Sequence, residues 1–218
     1  RVDGRAKVTG QTRFADDLSL PRMLHCKLLR ASVPHARIAR IDTTRAAAHA
    51  GVHLVLTGDT FPVPYGVLPV SHDEHALCQD KVRFVGDPVA AVIARDETTA
   101  AEAVDLIDIE YEPLRTYADP ADSLAFPEPR IHEYGDSGNV HKAVSLQFGE
   151  VDGAIATADH VFDDVFFFEG NTHLPIEQHA TVAPKDPDGK LVVWSSTQTP
   201  HYLHRALAKT LQMPAAHI

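Results

Sequence analysis

Apolar and polar positions along this chain fall into short runs whose spacing switches between strand-like and helix-like. Residues 23–30 and Ala36–Asp42 carry enough Leu, Ile and Cys to predict two strands, separated by a turn at Pro34. Residues 43–50 are alanine-rich and predict a helix that stops at Gly51. A short buried strand is expected at 53–57. Residues 61–80, with Pro62, Pro64, Gly66 and Pro69, read as an ordered loop. Pro88–Ala94 is a continuous apolar strand, and Asp96 is positioned to cap the next helix by accepting backbone N–H groups. Ala100, Ala103, Val104 and Ile107 fall at i, i+3, i+4 and i+7, on one helical face. Residues 108–112 return as a strand. The expectation is a strand–helix–strand unit of about 25 residues with a right-handed crossover.

From 119 to 139 the chain is rich in Pro, Asp, Glu and Gly, which marks a boundary between a first domain at 1–118 and a second at 140–218. In the second, residues 151–158 predict a short helix and 160–168 a long aromatic strand. Residues 181–184 and 191–196 flank Asp186-Pro187-Asp188-Gly189, a strong turn signal, and should pair as a hairpin. Thr199 as N-cap with Pro200 at the first helical position opens a helix to about Leu211, with Leu203, Ala206, Leu207 and Leu211 as its buried face. The pattern as a whole is α+β.

Composition narrows the function classes. Forty-four per cent apolar residues suffice for a core, and 12 Gly plus 15 Pro without a period argue against a collagen-like or disordered chain. Twenty basic against thirty acidic residues give −10, with no basic run, so a nucleic-acid partner would meet repulsion. The longest apolar run, 89–94, is far short of a membrane span, and no signal segment opens the chain. Cys26 and Cys78 are expected as two reduced thiols in a cytoplasm. The start at Arg1 and the stop at Ile218, just past a helical pattern, are expected to be cuts in a longer chain.

Candidate chemistry is sparse. Gly135-Asp136-Ser137-Gly138 copies the surroundings of a trypsin-like serine nucleophile, but it continues with Asn139 and lies in the linker. His72, His75 and Cys78 offer closely spaced metal donors without the second pair that a zinc site needs; a solvated loop in a chain with 14 His is the plainer account. His201 and His204 are read as helix-surface residues, and the carboxylate pairs Glu110/Glu112 and Asp163/Asp164 receive no acid–base role. Neither standard phosphate-cradling glycine loop is present. Gln198 stands apart. It puts a two-donor amide between a strand and a helix N-terminus, where an oxygen-rich or anionic ligand is favoured. A Gln satisfied within its own turn is the plainer alternative.

Several segments, taken in order, carry a family likeness. They are Arg1-Val2-Asp3-Gly4 with Lys7-Val8-Thr9-Gly10 and Phe14-Ala15-Asp16-Asp17; Lys81-Val82-Arg83-Phe84-Val85-Gly86-Asp87-Pro88-Val89-Ala90; Gly149-Glu150-Val151-Asp152; His173 with Glu177 and Ala180; and Ser196-Thr197-Gln198 with Pro200. In this order and spacing they resemble the large, molybdenum-binding subunit of the xanthine dehydrogenase/aldehyde oxidase family. The likeness implies an N-terminal α/β hammerhead domain followed by the beginning of a molybdopterin-binding α+β domain. It also implies that Gln198 hydrogen-bonds an oxygen ligand of molybdenum. His173 and Glu177 match the family pattern without an assigned catalytic role. The implied cofactor is molybdenum-molybdopterin cytosine dinucleotide, with iron–sulfur clusters and FAD on separate partner subunits and a small aromatic molecule as substrate. The family's glycine-rich cofactor segment and its catalytic Glu would lie beyond Ile218, so these 218 residues alone are expected to be inactive.

Within the family, residues 57–69 and Leu211-Gln212-Met213 look most similar to the 4-hydroxybenzoyl-CoA reductase α subunit. That points to reductive removal of a ring hydroxyl. Oxidation of an aldehyde or N-heterocycle is the alternative, and a non-catalytic scaffold built on the hammerhead fold is a second one.

Overall fold

The computed structural model describes residues 2–66, 72–134 and 137–218. Its strands are β1 (His25–Arg30), β2 (Ala36–Asp42), β3 (Val52–Thr57), β4 (Lys81–Val82), β5 (Pro88–Ala94), β6 (Asp108–Pro113), β7 (Thr181–Val182) and β8 (Trp194–Ser195). Its helices are α1 (Gly4–Val8), α2 (Thr44–Ala47), α3 (Glu97–Val104), α4 (Pro120–Ala125), α5 (Val151–Thr157) and α6 (Pro200–Thr210). The predicted helix at 43–50 is reduced to the single turn of α2, and Gly51 follows in the left-handed region at φ 92°.

The strands assemble into two three-stranded sheets, β1-β5-β3 and β4-β2-β6, and every pairing is antiparallel. This corrects the expected parallel crossover unit. β5 is apolar along its whole length because it is a central strand, but β1 and β3 occupy both of its edges. No edge is left for β6, which pairs instead with β2 from Ala36 opposite Pro113 to Asp42 opposite Asp108. Opposite charges suit this register: the Arg40 guanidinium meets the Glu110 carboxylate at 2.9 Å.

Helix α3 follows its sequence closely. The Asp96 carboxylate accepts the Thr99 N–H at 2.7 Å, and that bond holds the carboxyl below its ordinary range. Ala100 and Ala103 are fully buried and Val104 nearly so. Ala103 and Val104 meet Ala46, Ala90 and Val92 in one core cluster. Ala31, Ala36, Cys78, Val82 and Val89 form a second. Ile41 and Ile109 pack against both, so the two sheets share a core. Each buried valine there contributes about 1.5–3 kcal/mol.

The second half is far less buried. Residues 141–179 are exposed throughout, including α5. The expected aromatic strand at 160–168 is not formed: Val165, Phe166, Phe167 and Phe168 are 83–98% exposed and unpaired. Four consecutive apolar residues need cover on both faces of a strand, and nothing in the described residues supplies it. The predicted hairpin does form. Thr181 stands opposite Ser195 and Val182 opposite Trp194, and the Gly189 N–H closes the turn onto the Asp186 carbonyl at 3.0 Å. Helix α6 begins at Pro200 as expected, but the Thr199 side chain caps nothing; the Thr197 hydroxyl accepts the Thr199 N–H at 3.1 Å instead. Its apolar face at Leu203, Ala206, Leu207 and Leu211 is half-buried, not buried. Among the described residues no helix is long and apolar enough to cross a membrane.

Candidate functional site

Gln198 sits where the hairpin hands over to α6. On one side Ser196 is tied to Ala180, whose N–H donates to the Ser196 hydroxyl at 2.9 Å while the Ser196 N–H donates to the Ala180 carbonyl at 3.1 Å. On the other side the Thr199 carbonyl accepts the Tyr202 and Leu203 N–H groups that start the helix, each at 3.1 Å. The flanks at Ser196 and Thr199 are thus both held by hydrogen bonds. The Gln198 side chain is exposed and makes no hydrogen bond among the described residues. Satisfaction within its own turn, the plainer account from sequence, does not occur. A cleft of about 250 Å³ beside it is lined by Ser195, Thr197, Pro200 and Leu203 but not by Gln198. The amide fits a single hydrogen-bond contact to an oxygen or anionic ligand at the edge of α6; alone it encloses nothing. His173 and Glu177 are also exposed.

The histidine-rich loop does not converge. His72 lines a cleft of about 450 Å³ with Tyr65, Tyr202, Arg205 and Lys209. His75 and Cys78 line a different one, of about 440 Å³, with Asp73, Arg83, Asp87, His132 and Tyr134. No group of three or more metal-donating side chains with suitable placement exists among the described residues. Gly135 and Asp136 of the serine-protease-like tetrapeptide, and 67–69 of the proline-rich stretch, lie outside the described residues. On α6, the His204 ring is committed to the Ala215 carbonyl through Nε2 at 2.8 Å.

The side chains that sequence reasoning passed over lie around the second of these clefts. Lys81 is a buried cation at 3% exposure; its ammonium donates to the Arg130 carbonyl at 2.8 Å and pairs with the Glu133 carboxylate. That ammonium holds the Glu133 carboxyl below the ordinary carboxylate range. His132 Nδ1 lies 2.7 Å from the Asp73 carboxylate. No local signal distinguished Lys81, which has Asp80 beside it in sequence but finds its partners 49 and 52 residues further on.

Both cysteines are free, Cys26 exposed on β1 and Cys78 buried. Burial, reinforced by the Asp87 carboxylate, pushes the Cys78 thiol up to about 12. A thiol-specific reagent at neutral pH should therefore titrate Cys26 in the folded protein and reach Cys78 only after denaturation. Two fast-reacting thiols in the native state would contradict this burial.

Comparison with known proteins decides the family. Residues 9–115 match the aldehyde oxidase and xanthine dehydrogenase a/b hammerhead domain, and residues 131–218 match the molybdopterin cofactor-binding domain. The chain belongs to the xanthine dehydrogenase/aldehyde oxidase family. It is 39% identical over 214 residues to the nicotinate dehydrogenase large molybdopterin subunit of Eubacterium barkeri, covering 98% of this chain and 50% of that one. It is 32% identical over 224 residues to the xanthine dehydrogenase molybdenum-binding subunit of Escherichia coli O157:H7, covering 98% of this chain and 29% of the relative. The chain thus spans half the length or less of these family members. Among solved structures, the aldehyde oxidoreductase of Desulfovibrio gigas superposes with a TM-score of 0.86 at 27% identity, covering all of this chain and 25% of that one. Quinoline 2-oxidoreductase of Pseudomonas putida 86 gives 0.85 at 29% identity, covering all of this chain and 29% of that one. Hammerhead followed by the start of the molybdopterin-binding domain, as the family likeness implied, is therefore the fold. These relatives carry the names of nicotinate and xanthine dehydrogenases, not of 4-hydroxybenzoyl-CoA reductase.

Proposed function

We propose that this chain belongs to the molybdenum-binding subunit of a multi-subunit, molybdopterin-dependent oxidoreductase. The observation that carries the reading is the tandem order of the two domains along one chain, hammerhead first and cofactor-binding second. The cofactor in this reading is molybdenum-molybdopterin cytosine dinucleotide, which when bound supplies a two-electron redox centre. Gln198 serves it by donating from its side-chain amide to an oxygen ligand. A free two-donor amide beside the N-terminus of α6 supports that role. The two cysteines of these 218 residues cannot supply the four thiolates of an iron–sulfur cluster, and this reading assigns the iron–sulfur and FAD centres to partner subunits.

The substrate is an aromatic N-heterocycle, oxidised at a ring carbon with water as the oxygen source. This follows the nicotinate and quinoline named for the relatives. The likeness of residues 57–69 to 4-hydroxybenzoyl-CoA reductase favours a second reading, reductive dehydroxylation of an aromatic acyl thioester. Turnover of nicotinate or quinoline against reduction of 4-hydroxybenzoyl-CoA by a low-potential donor, in the natural complex, separates the two. Metal analysis of that complex should find molybdenum stoichiometric with this chain. Absence of both molybdenum and flavin would replace the enzyme with a scaffold. Gln198→Ala should lower turnover by roughly 10²–10³-fold without lowering the melting temperature; unchanged rates would remove Gln198 from the site.

A further inference from the structure

The stretch between the two domains is not a free linker. Three consecutive backbone carbonyls in it each accept one side-chain hydrogen bond from the hammerhead. The Tyr117 hydroxyl donates to Pro129 at 3.0 Å, Lys81 Nζ to Arg130 at 2.8 Å and Arg83 Nε to Ile131 at 3.0 Å. The central donor, Lys81, is the buried one, and it also holds Glu133. Further on, the Ile131 N–H donates to the Asn139 side chain at 2.8 Å and His132 engages Asp73. Because the three donors read main-chain oxygens, they fix the path of the segment whatever its side chains.

The docked segment also makes a wall. His132 and Tyr134 line the cleft of about 440 Å³, whose lining also includes Asp73, Cys78, Arg83 and Asp87. Part of that lining is already invested in local order, since the Asp87 carboxylate accepts the Arg83 N–H at 2.9 Å. The strap contains no sheet strand, so it can leave this cleft without unpairing one.

We propose that residues 128–134 form a strap that docks and undocks as a unit to close and open this cleft, with buried Lys81 as its positioning residue. Lys81 acts on the strap through the Arg130 carbonyl and Glu133. The strap is tested on the full chain by hydrogen exchange together with the reactivity of Cys78, which lies inside the cleft. Lys81→Met, Tyr117→Phe and Glu133→Gln should each raise amide exchange across 128–134 by roughly tenfold or more while β5 amides stay protected. In the same variants the Cys78 thiol should react in the native state at a rate raised by a similar factor. A merely structural lysine would not give this pattern, because its loss would expose β5 and the strap together. Should Lys81→Met fail to fold, the Tyr117→Phe and Glu133→Gln proteins decide the matter. Unchanged strap exchange in both, or faster strap exchange with Cys78 still closed, would overturn the proposal.

Discussion

Gly58→Ala is expected to lower the melting midpoint of the full chain by about 6–12 °C. Gly58 is buried in the short turn that follows β3, and a Cβ there would stand 2.3 Å from the Cys78 carbonyl oxygen and 2.8 Å from its carbonyl carbon. The obstacle is backbone, so no rotamer change relieves it. Nor is the Cys78 segment loose, because its N–H donates to the Pro88 carbonyl at 2.8 Å and its side chain belongs to the core cluster around Val82 and Val89. Insertion of one methyl group must push apart a pair of main chains at the edge of β5. Overpacking of this kind costs about 3 kcal/mol, and a domain of this size shifts by about 2–4 °C per kcal/mol. A melting curve superimposable on the parent's would show that this approach is not tight in solution.

The second large effect is expected at Ala103→Leu. Ala103 has no exposed surface, and its methyl faces Ala46, Ala90 and Val92 where α3 lies on the first sheet. Small residues on both sides set that helix close to the strands, and a leucine must push it away, at a cost of about 1–3 kcal/mol. Thr98→Leu, the same side chain on the exposed face of the same helix, should change stability by no more than about 0.5 kcal/mol. Comparison of the two by denaturant unfolding reads the orientation of α3 directly. Equal losses, or none at Ala103, would mean that the helix is rotated from the arrangement described here.

These two sites show how much the chain discloses in advance. The buried face of α3 and its Asp96 cap were legible because both depend on residues within one or two turns. The hairpin was legible for the same reason, its turn being written into Asp186-Pro187-Asp188-Gly189. What failed was partner choice. Nothing local in Pro88–Ala94 says that its neighbours are β1 and β3, and a run of apolar residues reads the same in a parallel or an antiparallel sheet. Residues 160–168 have the composition of a strand, but a strand requires a neighbour, and the described residues offer none. At the candidate site, Gln198 was located through its place between two legible elements. Lys81 and its acceptors were hidden because 49 residues separate the ammonium from the Arg130 carbonyl it holds.

The same long separations set a timetable for the nascent chain. His25 pairs with Ala94 and Ile38 with Tyr111, so the first strands to be synthesised have no permanent neighbour until the last strands of the hammerhead arrive. At about 5–20 residues per second, roughly 3–14 seconds pass on the ribosome between the two ends of that first pairing. For that interval β1, joined part-way through by β3, is a bare edge waiting for one central ribbon, and any pause before Pro88 prolongs the exposure of both to the wrong mate.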